Sequence, residues 1–124
     1  MTIRFLPQKI HGILDYAVAL TLIAIPFILN FRQDSEFAHW LSVAAGVGLF
    51  LYSLATDYSV GVVSAISIRQ HLTLDFAAGA LFVGLAAVAN FSGEAAVFYG
   101  VIGAAVLAVV AVTELEPTPQ PAVA

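Results

Sequence analysis

The chain has 124 residues, 61% of them apolar and only 10% charged, with a net charge of −4 and no cysteine. The absence of cysteine excludes disulfides, thiolate metal sites and cysteine nucleophiles, and the negative charge excludes a nucleic-acid surface and a polybasic lipid patch. Soluble domains carry about 25% charged residues. At a mean hydropathy of +1.00 this chain has too little polar surface to be one, and a bilayer is the solvent that suits it.

Four apolar stretches follow one another, at about residues 10–29, 38–56, 70–89 and 95–113. Each is close to the ~20 residues that cross a ~30 Å hydrocarbon core at 1.5 Å rise per residue. They are too long, and too rich in Ala, Leu and Gly, for barrel strands. The first is too long for a cleavable signal peptide, holds His11 and Asp15, and lacks an A-x-A-like cleavage site, so it reads as a retained helix. Pro26 inside it predicts a kink or a weak point. The connections at 30–37 and 90–94 are short and polar, and the one at 58–69 is longer, Ser-rich and suited to the membrane interface. Pro117, Pro119 and Pro121 make 115–124 a disordered tail. The expected fold is all-α: one four-helix transmembrane domain over residues 1–114.

Arg4, Lys9 and Arg69 fall at one end of the bundle and Arg32 alone at the other. The positive-inside rule then places both termini in the cytoplasm. His39-Trp40, at the opposite end, reads as an interfacial anchor. Tyr16, Tyr52, Tyr58 and Tyr99 read as belt or packing residues.

Shifted by 60, the sequence matches itself: Lys9-Ile10-His11 becomes Arg69-Gln70-His71, Asp15-Tyr16-Ala17 becomes Asp75-Phe76-Ala77, and Asn30-Phe31 becomes Asn90-Phe91. With a shift of 57 in the later part, Gly46 meets Gly103 and Thr56-Asp57 meets Thr113-Glu114. The chain thus reads as a two-helix unit written twice, over about 5–57 and 65–114. The copies should be parallel and related by a pseudo-two-fold axis along the membrane normal. The stretch LPQKIHGILDYAVALTLIAIPFILNF resembles the first helix of the SPW-repeat family of small bacterial membrane proteins, and TDYSVGVVSAISIRQHLTLDFAAG resembles that family's junction into its second repeat. Of the namesake Ser-Pro-Trp, only the proline survives, in Ile25-Pro26-Phe27, and the second copy keeps none of it. The resemblance implies the two-repeat, four-helix fold and no activity.

Ionisable residues inside a membrane are costly and need a reason. His11, Asp15, Asp57, His71, Asp75 and Glu114 all fall at one end of the bundle, the cytoplasmic one in this reading. His and Asp at i and i+4 share a helix face, so each imidazole can bond its own aspartate or that of the other copy. Four uses are open. The leading one is a polar network stapling the helix ends of a non-enzymatic structural or accessory module with no cofactor. The others are a transition-metal site on His11, His71, Asp15 and Asp75, a proton pathway, and a haem between His11 and His71 with Gly12 and Gly79 making room. No catalytic triad or nucleotide-binding motif is present, so no enzyme is expected. The partner is the lipid bilayer and not nucleic acid. Small-residue faces at Ala44/Gly48, Ala80/Gly84 and Gly100/Ala104/Ala108 suit packing within the bundle, in a homo-oligomer or in a larger membrane complex.

Overall fold

The computed structural model describes residues 3–91 and 93–116. Four helices, α1 (Gln8–Ile28), α2 (Glu36–Leu54), α3 (Ile68–Val88) and α4 (Gly93–Val112), account for most of it, with a 3₁₀ turn at Phe31–Gln33. All four are long and apolar enough to cross a membrane, and the protein is a multi-pass membrane protein. Each helix starts two residues before its apolar run, because polar residues complete the first turn. Ser35 accepts the Ala38 N–H, and Ser67 and Gln70 form a reciprocal capping box. Within the tail expected at 115–124, residues 117–124 lie outside the described residues, while Leu115 and Glu116 form a bend.

The chain runs up and down, α1 packing along α2 and α3 along α4. Between the hairpins, Leu6 bridges Thr113, while Thr56 bridges Ile66 in the linker. The backbone bonds at these two places correspond. Phe5 and Leu6 donate to Val112 and Glu114 donates to Leu6; Ala65 and Ile66 donate to Ala55 and Asp57 donates to Ile66. Each pair differs by 60 residues before a hairpin and by 57 after it. Both hairpin turns pass through a left-handed asparagine, Asn30 (φ 56°) and Asn90 (φ 58°), a conformation asparagine adopts at low cost.

Pro26 does not break α1, which runs two residues past it. A proline lacks the N–H that would bond the carbonyl four residues back. Here that carbonyl, Leu22, accepts instead from the buried Ser42 hydroxyl of α2 at 2.7 Å. Nearby, the buried Tyr99 hydroxyl donates to the Ala38 carbonyl at 2.5 Å, so Tyr99 is a core residue rather than part of an aromatic belt. At the same end Trp40 donates to Glu36, which also pairs with Arg32. His39 is buried against Phe27 and Trp40.

The close helix contacts lie elsewhere than at Gly48, Gly84 and Gly100. A Cβ added to Gly46 would come within 2.7 Å of the Ala19 carbonyl oxygen, and one added to Gly103 within 2.8 Å of the Gly79 carbonyl oxygen. At Gly48 and Gly84 it would meet nothing within 4 Å, and at Gly100 only Ala86 at 3.7 Å. Gly46→Ala and Gly103→Ala should therefore each cost about 1–3 kcal/mol through overpacking, read as a lower melting temperature in detergent. Gly84→Ala should leave it unchanged. Equal effects at Gly84 and Gly103 would show that these backbone approaches are not the contacts that set helix spacing.

Candidate functional site

The first two turns of α1 carry His11 and Asp15, and those of α3 carry His71 and Asp75. The i, i+4 spacing turns each pair to one face, and the two faces meet at the hairpin interface. All four side chains are buried, and one ligand atom from each lies within 4.8 Å of the others. His11 Nε2 is 3.0 Å from Asp75 Oδ2 and 3.1 Å from Asp15 Oδ1. His71 Nε2 is 3.0 Å from Asp15 Oδ2 and 3.1 Å from Asp75 Oδ2. Each imidazole thus reaches both carboxylates, its own and the other hairpin's.

Hydroxyl groups fix how the rings face. Thr113 Oγ1 donates to the Val109 carbonyl at 2.6 Å and lies 2.7 Å from His11 Nδ1. Thr56 Oγ1 donates to the Tyr52 carbonyl at 2.6 Å and lies 2.7 Å from His71 Nδ1. A hydroxyl has one proton. Each threonine spends it on the carbonyl four residues back, so it can only accept from the imidazole. With the threonine proton on the carbonyl, Nδ1 is the donor in each ring's bond to its threonine, and Nε2 faces the carboxylates as a lone pair or, on a charged ring, as a second N–H.

The carboxylates are held from outside as well. Tyr52 donates to Asp75 Oδ1, and Tyr58 donates to Asp15 Oδ2 at 2.8 Å. The Tyr58 phenol stays protonated, because burial and then the Asp15 charge push its pKa above the ordinary tyrosine range. Its linker crosses α1 at Gly12, where a Cβ would come 2.1 Å from Val60 and 3.1 Å from the Tyr58 ring. Gly12 makes room for this linker, and Gly79 makes room for α4.

Among the described residues, four buried side-chain atoms lack a hydrogen-bond partner: both ring nitrogens of His39, Ser53 Oγ and His71 Nε2. His71 Nε2 is fully buried and near two carboxylate oxygens, yet neither lies in the direction needed for a hydrogen bond. His11 Nε2 does make one, to Asp75. His11, Asp15, His71 and Asp75 each offer one atom to a group that could hold a metal ion. Donor atoms around a tetrahedral ion with ~2.0 Å bonds are about 3.3 Å apart; the His–Asp separations here are 3.0–3.1 Å, and the four ligand atoms all lie within 4.8 Å of one another.

Asp57 and Glu114 are not part of the cluster. Asp57 is exposed and accepts from Ser64 at 3.1 Å, and the Glu114 backbone carbonyl accepts from Gln8. Each follows a bridged threonine, and in extended backbone neighbouring side chains point to opposite sides. With Thr56 and Thr113 inward, the acids turn outward. Tyr52 and Tyr58, expected as belt or packing residues, instead hold the two carboxylates. Comparisons with protein-family models, curated proteins and solved structures return no match for this chain.

Breaking one partner of a buried ion pair costs about 3–5 kcal/mol. Asp15→Asn and Asp75→Asn should each lower the melting temperature in detergent by a similar amount. The double variant should cost at least ~1 kcal/mol less than the sum, because the two acids share both imidazoles. Strictly additive losses would mean that the carboxylates act separately.

Proposed function

We propose that this protein is a non-enzymatic membrane module built around a divalent metal centre, with His11 Nε2, His71 Nε2, Asp15 and Asp75 as ligands. The observation that carries this reading is the pair of threonine hydroxyls. They commit both Nδ1 atoms as donors and leave both Nε2 atoms converging on two carboxylates, one without a hydrogen bond. Hydroxyl groups on the far side of histidine and carboxylate ligands are the outer support that metal sites use. Two imidazoles and two carboxylates suit Zn²⁺ or Fe²⁺. Four ligand atoms within 4.8 Å of one another are close enough to share one ion.

Charge favours the same reading. Two carboxylates with two neutral imidazoles carry −2 in an apolar bundle, and one divalent ion cancels it. The purely structural alternative cancels it with two protons. Inductively coupled plasma mass spectrometry of purified protein should find one transition ion per chain, lost in His71→Ala and in Asp15→Asn. Thr56→Val should keep the ion but weaken its affinity about 10- to 100-fold. Chelation should lower the melting temperature of the native protein only. Native protein that takes up no Zn²⁺, Fe²⁺ or Co²⁺, and whose melting temperature ignores chelator, would leave the network structural.

The hairpins are read as two copies related by a pseudo-two-fold along the membrane normal, of the kind the SPW-repeat resemblance implies. The matched end bonds support this. The metal centre then lies near the cytoplasmic face of a bacterial inner membrane. Arg4, Lys9 and Arg69 share its end, Arg4 bonding the Val110 and Thr113 carbonyls at the end of α4, while Arg32 at the other end is paired with Glu36. Single cysteines near Lys9 and Ser64 should be labelled only from the cytoplasm, and one at Asp34 only from outside. The reverse pattern would invert the orientation without touching the metal reading.

A further inference from the structure

Beside the quartet, deeper in the bundle, lies a partly open cavity of about 260 Å³ to which all four helices contribute. An apolar cavity of about 150 Å³ is enough to hold benzene, so this one has room for a substituted six-membered ring. Along α3 it reaches from Asp75 to Phe82, seven residues or about 10 Å at 1.5 Å rise. Most of its wall is aliphatic, with Val18, Leu49 and Ala78 among the lining residues. At the end away from the quartet stands Phe82, its ring stacked on Tyr99 at a centroid distance of 4.4 Å and an angle of 11°. At the near end stand Tyr52 and Asp75.

We propose that this cavity binds a single-ring phenol or hydroquinone, with the ring among the aliphatic residues and its hydroxyl donating to the Tyr52 oxygen. The polarity follows from the hydrogen bond already made. Tyr52 gives its one proton to Asp75, so its oxygen has only lone pairs left to offer. The complement is an apolar ring carrying an O–H donor. A quinone or an ether has no such proton, and a lipid acyl chain has no polar end to place there.

Two further features favour a ligand over loose packing. Tyr52 corresponds to Val109 at the spacing of 57 that pairs Thr56 with Thr113. The second hairpin therefore holds its threonine without a tyrosine, and the His–Thr contacts do not require Tyr52. Gly48 lines the cavity, and a Cβ added there would meet nothing within 4 Å. The space above it is open rather than closed by a neighbour.

The inference does not depend on the metal reading, and its test runs on metal-free and metal-loaded protein alike. The probes are 4-propylphenol and its methyl ether, 4-propylanisole, titrated into protein in deuterated detergent. Binding is read as saturable nuclear Overhauser contacts from the ring protons to the Val18 and Leu49 methyl groups. The phenol should saturate, and the ether should bind at least about tenfold more weakly, the equivalent of one lost hydrogen bond. Tyr52→Phe should erase that difference. Gly48→Leu, which fills the cavity from an unobstructed position, should abolish both contacts while keeping the melting temperature. Equal binding of phenol and ether to the native protein overturns the proposal and makes the cavity a generic crevice for lipid chains. So does phenol binding that survives Gly48→Leu, or the absence of saturable contacts with either probe.

Discussion

The fold depends on one constraint. Two histidines and two aspartates are set into helices that are otherwise apolar, and hydrocarbon offers them nothing to bond. Either hairpin alone could pair its own His with its own Asp through the i, i+4 spacing, but each imidazole would lack the threonine at its Nδ1, and Asp75 would lack Tyr52. Bringing α1 against α3 lets each imidazole reach both acids. The association of the hairpins is therefore selected by the burial of these groups as well as by apolar packing. The two hairpins share one apolar core, in which Ala19, Leu22 and Leu49 cluster with Phe82 and Tyr99. Apolar packing between membrane helices gains little over contact with lipid, so the polar quartet is what makes this pairing specific.

The ends of the helices serve the same requirement. A threonine in the last turn of a membrane helix commonly bonds the carbonyl four residues back. Here that local bond has a long-range result, because it removes the hydroxyl proton and makes the oxygen an acceptor for an imidazole. The short backbone bridges at Leu6–Thr113 and Thr56–Ile66 hold these threonines in place. The corresponding bonds recur at the same spacings, which means that the sequence similarity between the hairpins extends to backbone geometry and not only to residue type. Tyr52 and Tyr58 break that correspondence. Both come from the first hairpin and its linker, so the two aspartates are held by equivalent histidines and by non-equivalent phenols.

Much of this was legible in the sequence. Apolar run length located the four helices, and the shift of 60 paired His11 with His71 and Asp15 with Asp75. The i, i+4 rule then gave the two faces that meet. What stayed hidden was set by backbone that is not helical. Asp57 and Glu114 sit at the expected depth, but the extended residues at the bridges turn them outward and turn the neighbouring threonines inward, a one-residue distinction that helical periodicity does not resolve. Tyr58 reaches Asp15 only because the linker folds over Gly12, and nothing in the linker's composition announces that path. The small-residue motifs misled for a different reason. In helices this rich in Ala and Gly, several stripes satisfy the spacing, and only the crossing geometry decides that Gly46 and Gly103 make the close approaches while Gly48 and Gly84 face open space.

Hydroxyl bonding also limits what the quartet can be. If both rings were charged, each Nε2–H would need an oxygen in line with it. His11 has one in Asp75, while His71 has two oxygens within 3.1 Å and neither in line. A proton is directional and cannot be shared sideways between two acceptors at full strength. A metal ion is less demanding, since its position adjusts among four donors and each lone pair needs only to point toward the common centre. The arrangement is therefore imperfect as a set of hydrogen bonds, with His71 Nε2 left outside it. Tyr52, Tyr58 and the two threonines hold the four side chains in this orientation.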